Sequence, residues 1–142
     1  MIGAICTKPA VTASPEATIL EAAHRMRGRK VGALVIVNRN GEPTGVLTDR
    51  DIAVSVVGAG KDPATVLVKT LVRRKPIVIR DDAGILDATK LLSRRGVRRL
   101  PVVSKTGQLV GILTMDDLVM LLGSELGHIA STLASELGRA KI

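Results

Sequence analysis

Two short segments combine a threonine with an aspartate three residues later: Thr48 with Asp51, and Thr114 with Asp117. Each segment follows a Gly-aliphatic-aliphatic stretch typical of a strand and is expected to begin a helix. The free N–H groups at a helix N-terminus attract anions, a threonine hydroxyl can bind phosphate or sugar, and a carboxylate can accept two hydrogen bonds from a ribose diol. The two segments therefore suit a ligand that carries a phosphate or a ribose.

The same spacing is also that of a helix capping box, in which the threonine and the acid three residues later each accept a hydrogen bond from the other's backbone N–H. Capping explains the Thr-x-x-Asp spacing, but it does not explain the preceding glycines, Gly45 and Gly111. The two roles are compatible, because a residue can cap the empty site and bind in the filled one. Both interpretations remain open at this point.

The other reactive residues form no catalytic pattern. His24 and His128 are too few and too far apart in sequence for a metal site, and Cys6 has no evident base beside it. The sequence also lacks a phosphate-binding loop that ends in Lys-Ser or Lys-Thr. We therefore expect a protein that is not an enzyme and that requires no cofactor.

An internal repeat organises the chain. When the sequence is aligned with itself at a shift of 66 residues, segments 17–52 and 83–118 have identical residues at 13 of 36 positions. Each copy predicts the order β-α-β-β-α, so we expect an α/β (α+β) fold in which two pseudo-symmetric repeats pack as one domain. The predicted boundaries are residues 1–60 for repeat 1, 61–66 for a linker, 67–125 for repeat 2 and 126–142 for a C-terminal helical extension.

Local patterns place the elements within each repeat. Short strands are predicted at 11–13 and 77–79, and the first helix is predicted over 18–27 with a capping box at Thr18. The Asn-Gly pair at residues 40–41 predicts a hairpin turn. The second helix of each repeat should begin at Asp49 and at Met115.

The last helix is predicted to outlast its repeat, because apolar residues recur at steps of three and four from Leu118 to Leu137. It could fold back on its own domain or contact a second subunit. We favour the subunit contact and therefore expect a homodimer.

Composition narrows the class of protein. Of 142 residues, 46% are hydrophobic and none is aromatic, the net charge is +8, and there is a single cysteine. These values exclude a disordered chain and an intramolecular disulfide framework, and the continuous apolar runs are short for a membrane span or a signal peptide. We expect a soluble cytoplasmic protein without a membrane partner. Basic clusters allow a nucleic-acid ligand, but the lack of aromatic rings for base stacking disfavours it.

Residues 8–18, 96–103 and 107–118 carry a family resemblance. The first reads Lys-Pro-Ala-Val-Thr-Ala-Ser-Pro-Glu-Ala-Thr, the second Gly-Val-Arg-Arg-Leu-Pro-Val-Val, and the third ends in Gly-Ile-Leu-Thr-Met-Asp-Asp-Leu. Over about residues 1–125 the chain resembles a pair of cystathionine-β-synthase (CBS) domains, the tandem unit called a Bateman module. The resemblance implies two clefts about a pseudo-twofold axis and adenosyl ligands: AMP, ADP or ATP, with S-adenosylmethionine and NAD as alternatives.

The resemblance also implies which residues line each cleft. Asp51 and Asp117 would hold ribose hydroxyls, and Thr48 and Thr114 would lie near ribose or phosphate. The aliphatic wall and cations of the Asp51 cleft would be Lys75, Ile77, Ile79, Val97, Arg98 and Arg99. The counterparts in the Asp117 cleft would be Lys8, Val11, Ala13, Val31, Gly32 and Ala33.

The two repeats differ where phosphate would bind. Repeat 1 has Gly32 and Ala33 where repeat 2 has Arg98 and Arg99, so the clefts should be unequal. The expected function is a regulatory sensor of adenine nucleotides that acts through an unidentified partner protein. A scaffold or dimerisation module with vestigial clefts is the alternative, and a nucleic-acid-binding protein is the least favoured one.

Overall fold

A computed structural model describes residues 1–140, so the last two residues of the predicted C-terminal extension lie outside the described residues. The chain begins with a 3₁₀ turn at Ile2–Ala4, and a π-helical turn at Ala53–Val57 continues α2. The remaining elements are β1 (Thr12–Ala13), α1 (Ile19–Arg29), β2 (Ala33–Val37), β3 (Pro43–Thr48), α2 (Asp49–Ile52), α3 (Val68–Leu71), β4 (Ile79–Arg80), α4 (Ile85–Arg95), β5 (Arg99–Val103), β6 (Leu109–Thr114) and α5 (Met115–Ala140). The predicted β-α-β-β-α order is confirmed in both repeats.

Each repeat forms its own three-stranded sheet. The strand orders are β1-β2-β3 and β4-β5-β6, with the first pair parallel and the second pair antiparallel in both sheets. The antiparallel pairs are hairpins whose turns place Gly41 and Gly107 at positive φ, 77° and 86°, a conformation that glycine adopts without steric cost. The two hairpins meet where the Leu109 N–H donates to the Gly41 carbonyl at 2.9 Å.

The first helix of each repeat begins with the predicted reciprocal cap or part of it. In α1, Thr18 Oγ1 accepts from the Glu21 N–H at 3.1 Å, and Glu21 Oε2 accepts from the Thr18 N–H at 3.1 Å. In α4, Gly84 has no hydroxyl to contribute, and only the bond from the Gly84 N–H to Asp87 Oδ2 forms, at 3.2 Å. Both helices end where a residue takes the left-handed conformation, Lys30 after α1 and Gly96 after α4.

The segments that precede β1 and β4 are exchanged between the repeats. We call residues 2–8 and 68–74 the lead segments; the 66-residue shift places Ile2 on Val68. Ile2 is fully buried in the apolar core of repeat 2, together with Leu100 and Leu113. Val68 is fully buried in the core of repeat 1. Each repeat therefore completes the hydrophobic core of the other.

Backbone hydrogen bonds hold both exchanged segments in place. The Ile2 N–H donates to the Ala83 carbonyl at 2.9 Å, and the Val68 N–H donates to the Ala17 carbonyl at 2.8 Å. The equivalent bonds and burial of the two segments give the molecule its pseudo-twofold symmetry. The short helix α3, which belongs to the second lead segment, was not predicted from the sequence.

Helix α5 leaves the folded body after its first two turns. Leu118 is buried at 3% exposure, but every described residue from Leu122 onward is exposed. The stripe of apolar residues therefore does not fold back on the described part of its own domain. The helix is also long and apolar enough to span a membrane, by length and composition only. The sequence did not predict a membrane-spanning length here, because polar residues such as Glu125 and His128 interrupt the apolar residues of this helix.

Candidate functional site

The two glycines that capping left unexplained allow the lead segments to cross the sheets. A Cβ on Gly111 would lie 2.5 Å from the Thr7 carbonyl oxygen and 2.9 Å from Cys6 Sγ. A Cβ on Gly45 would overlap the Val72 side chain. Each lead segment thus crosses the strand that precedes a Thr-x-x-Asp segment, with its backbone against Gly111 and with the Val72 side chain against Gly45. Each cleft is therefore built from both repeats.

Both Thr-x-x-Asp segments form complete capping boxes. Asp51 Oδ2 accepts from the Thr48 N–H at 2.9 Å, and Thr48 Oγ1 accepts from the Asp51 N–H at 3.2 Å. The distances are 2.8 and 3.1 Å for Asp117 and Thr114. In each aspartate the structure records no bond from the described residues to the second carboxylate oxygen, which leaves that atom available to a ligand. The capping interpretation is correct, and it leaves room for the binding one.

Six of the residues predicted for the Asp51 cleft surround one cavity of about 360 Å³. Its lining includes the predicted residues Thr48, Lys75, Ile77, Val97, Arg98 and Arg99. Asp51 itself is not among the lining residues; its link to the cavity is the capping box that it forms with Thr48. Val46, Arg74 and Pro76 also line it and were not named from the sequence. Arg74 and Pro76 flank Lys75 in the chain, and Val46 precedes the buried Leu47 on β3, so strand alternation could have identified it.

The cavity combines an apolar wall with an excess of positive charge. Four of its nine lining residues are cations, and no carboxylate is among the lining residues described. Arg98 also lies 3.7 Å from the Asp116 carboxylate, but both side chains are largely exposed, at 72% and 83%. Such an exposed ion pair contributes little, so the guanidinium is free to turn toward an anion. Apolar side chains and uncompensated cations together fit a planar ligand that carries phosphate.

The residues predicted for the Asp117 cleft are more scattered. Thr114 lines a smaller cavity of about 250 Å³ with Arg98, Arg99, Met115 and Asp116. Val11 instead lines a groove beside α1, and Val31 packs against the core of repeat 1. The Gly32 carbonyl accepts from the Asp49 N–H at 2.9 Å, and Ala33 is the first residue of β2. Lys8 is exposed, and the stem of its side chain lies over Gly111.

Two residues predicted for the aliphatic cleft walls face the protein interior. Ala13 is 3% exposed in the core of repeat 1, and Ile79 is 6% exposed in the core of repeat 2. Each belongs to the short strand that pairs with the central strand of its sheet, β1 with β2 and β4 with β5. Their side chains pack under the sheet, and their burial removes them from direct contact with a ligand.

The described residues contain no cluster of His, Cys, Asp and Glu side chains that could hold a metal ion. Burial raises the pKa of the Cys6 thiol, and the nearby Lys8 ammonium only partly opposes that effect. A thiol that stays protonated is a poor nucleophile, because the thiolate is the reactive form. Burial thus leaves the Cys6 thiol without activation as a nucleophile. Its sulfur lies against the strand at Gly111.

Comparison with known proteins agrees with the division of the chain into two repeats. The CBS domain model matches residues 2–58 and 68–124. An uncharacterized protein of Methanopyrus kandleri is 37% identical over 120 residues, which are 84% of this chain; the chain spans 61% of that protein's length.

Solved structures of similar fold contain adenosyl compounds. The CBS domain pair of the protein MJ0100, solved with 5-methylthioadenosine and S-adenosyl-L-methionine, has a TM-score of 0.78 and 26% identity over 88% of this chain and 97% of its own. A CBS domain protein from Pyrobaculum aerophilum complexed with AMP has a TM-score of 0.75 and 26% identity, over 87% and 98%. CBS pairs are in general regulatory modules. With two family matches that cover most of its length, this chain belongs to the CBS domain family.

Proposed function

We propose that this protein is a regulatory sensor of adenine nucleotides, located in the cytoplasm, that acts through a partner protein. The observation that carries the proposal is the cavity between the repeats, where Thr48 lies at a helix N-terminus opposite four cations and an aliphatic wall. Its volume of about 360 Å³ falls within the usual range for small-molecule sites, ~300–1,000 Å³. AMP, ADP or ATP is the proposed ligand, with S-adenosylmethionine and NAD as alternatives.

Each part of such a ligand has a complementary surface in the cleft. The adenine ring would lie against Ile77 and Val97, which replace the aromatic rings that this chain lacks. The ribose diol would bind the free oxygen of Asp51, whose other oxygen is held by the cap. The phosphates would bind Arg98 and Lys75. The AMP and S-adenosylmethionine complexes of similar CBS pairs support this choice of ligand class.

The clefts are proposed to be unequal. Arg98 and Arg99 lie between the two cavities and line both. Arg74, at the end of the second lead segment, and the adjacent Lys75 line only the larger of the two. We therefore assign the tighter nucleotide site to the Asp51 side. The protein is also proposed to form a homodimer, for which the exposed stripe of α5 provides a surface.

Calorimetric titration with AMP, ATP and adenosine tests the proposal. Asp51→Asn should preserve the cap, because an amide oxygen can still accept from the Thr48 N–H, yet it should weaken nucleotide binding about tenfold, since a charged acceptor makes the stronger hydrogen bond. Asp117→Asn is the matched variant at the weaker side. If no adenosyl ligand at millimolar concentration gives heat or shifts the melting temperature, the clefts are vestigial and the scaffold alternative holds.

A second pair of variants separates phosphate recognition from net charge. Arg98→Ala should weaken ATP binding more than adenosine binding, because only ATP carries the phosphates that the guanidinium is proposed to contact. Arg94→Ala removes the same charge from the exposed last turn of α4, outside the cavity lining, and should leave both affinities unchanged. Equal losses for the two variants would show that only the overall positive charge matters. Tight binding of RNA with a steep salt dependence would instead support the nucleic-acid alternative.

A further inference from the structure

Helix α5 contains a repeat of its own. Residues 122–127 read Leu-Gly-Ser-Glu-Leu-Gly, and residues 133–138, eleven positions later, read Leu-Ala-Ser-Glu-Leu-Gly. An 11-residue period corresponds to about 3.67 residues per turn, close to the 3.6 of a straight α-helix. Equivalent residues therefore stay on the same side of α5 along its whole exposed length.

The repeat divides the exposed helix into parallel faces. The apolar stripe consists of large side chains that are 47–66% exposed: Leu122, Leu126, Ile129, Leu133 and Leu137. One flank of the stripe carries small residues, namely Gly123, Gly127, Ala130, Ala134 and Gly138. The other flank carries charged or titratable residues, namely Glu125, His128, Glu136 and Arg139.

We propose that this stripe is the interface with the α5 helix of a second copy of the chain, in antiparallel orientation. Each large apolar side chain carries about 100 Å² of transferable apolar area. Ten such side chains, five from each copy, if fully covered, therefore approach the ~1,000 Å² that is the lower limit for a biological protein interface. The proposal specifies the homodimer proposed above but does not depend on nucleotide binding.

The asymmetry of the two flanks favours the antiparallel orientation. In an antiparallel pair with twofold symmetry, each flank faces the same flank of the partner helix. The small residues then meet small residues, so the backbones can approach closely, and the acids and bases share one side of the pair. In a parallel pair, the charged flank would face the partner's glycines and alanines, which offer no charge partner.

The stripe also determines the register. If Ile129 lies at the level of the partner's Leu133, then Leu126 lies within one position of the level of the partner's Leu137. In that register Glu125 comes within two positions of the level of the partner's Arg139. Glu136 has the same relation to the partner's His128. Packing of the stripe and pairing of the charges thus select the same register to within two residues.

The folded body is compatible with this register. The paired region runs from Leu122 to Ala140, about 27 Å at 1.5 Å per residue. The partner's Ala140 lies at the level of Leu122, immediately beyond Leu121, which is the last partly buried residue of the helix. The pairing covers the described helix from Leu122 onward and ends where the folded body begins, so the two bodies lie at opposite ends of the pair.

Sedimentation velocity on the full chain tests the interface. Ile129→Glu combined with Leu133→Glu should weaken dimerisation on the order of a hundredfold or more, because four charges would enter the apolar layer. Both residues are exposed, so the fold of the body should survive. The control is Met120→Glu, an exposed residue on the other side of the same helix, which should leave the dimer unchanged. A wild-type monomer, or a dimer indifferent to the double substitution, overturns the proposal.

Disulfide crosslinking tests the orientation, in a Cys6→Ser background. A chain carrying both Leu126→Cys and Leu137→Cys should form covalent dimers under mild oxidation, whereas each single substitution alone should not. Efficient crosslinking by the single variants would show a parallel pair and refute the antiparallel register. Cosedimentation of the wild type with phosphatidylcholine vesicles, with loss of the soluble dimer, would show that a membrane covers the stripe and would overturn the proposal. Loss of nucleotide binding alone would leave the proposed interface intact.

Discussion

Replacing Gly111 with alanine should destabilise the protein by displacing the first lead segment from the sheet of repeat 2. The new Cβ would lie 2.5 Å from the Thr7 carbonyl oxygen and 3.2 Å from Lys8 Cγ. The lysine stem can swing aside, but the backbone carbonyl cannot, because Thr7 exchanges two hydrogen bonds with Ile112, at 2.9 and 3.1 Å. The lead segment must therefore separate from β6.

The magnitude follows from these contacts. Overpacking of a tight site costs about 1–3 kcal/mol, and each backbone hydrogen bond contributes about 0.5–1.5 kcal/mol net. Gly111 does not have a positive φ, so no backbone strain is added. We expect Gly111→Ala to lower the free energy of unfolding by roughly 3 kcal/mol, a large part of the ~5–15 kcal/mol of a typical domain.

Urea unfolding measures the global effect, and alkylation of Cys6 measures the local one. Cys6 lies on the displaced segment, so its alkylation in the absence of urea should become faster in Gly111→Ala. The control is Gly28→Ala within α1, where a Cβ meets nothing within 4 Å; it should raise stability by about 0.5–1 kcal/mol. If Gly111→Ala unfolds at the wild-type urea concentration and Cys6 stays protected, the lead segment does not cross β6.

Three further predictions concern single side chains. Ile2→Ala should lower the free energy of unfolding by about 2–5 kcal/mol in urea, because Ile2 is fully buried in the core of the other repeat. Burial raises the pKa of the Cys6 thiol, so the unfolded chain loses the thiol proton at lower pH than the folded chain does. The free energy of unfolding should therefore fall as pH rises above the ordinary pKa of a thiol. Melting curves across pH should show a smaller fall for Cys6→Ser. The Ser14 hydroxyl, 2.7 Å from Glu16, lowers the pKa of that carboxyl, and Ser14→Ala should return the NMR titration of Glu16 toward its ordinary range.

Local signals in the sequence predicted most of the elements. The capping pair Thr18 and Glu21, the hairpin glycine Gly41 and the helix start at Asp49 all depend on residues close in sequence, and the structure confirms each of them. The 66-residue repeat then placed the corresponding elements of repeat 2. The first helix was predicted two residues too short, because its end at Lys30 uses the left-handed conformation without a glycine.

The exchange of the lead segments could not be predicted in this way. Ile2 and Val68 lie in pieces too short to show a period, and nothing local tells which core a short apolar segment enters. The roles of Gly45 and Gly111 depend on that exchange, so their presence before each Thr-x-x-Asp was visible in sequence but unexplained. Ala13 was misplaced for a related reason, since a two-residue strand has too little alternation to show which side it buries.

The exchanged lead segments have a consequence for the origin of the fold. A chain with only one such repeat would leave a hole in its own core at the place that Ile2 or Val68 fills. Two such chains would close both holes by exchanging their first residues, so a chain with one repeat would complete its core only as a dimer. Joining the copies through one short connection made the trade intramolecular, at an effective concentration of the order of millimolar. The duplication thus released folding from its dependence on protein concentration.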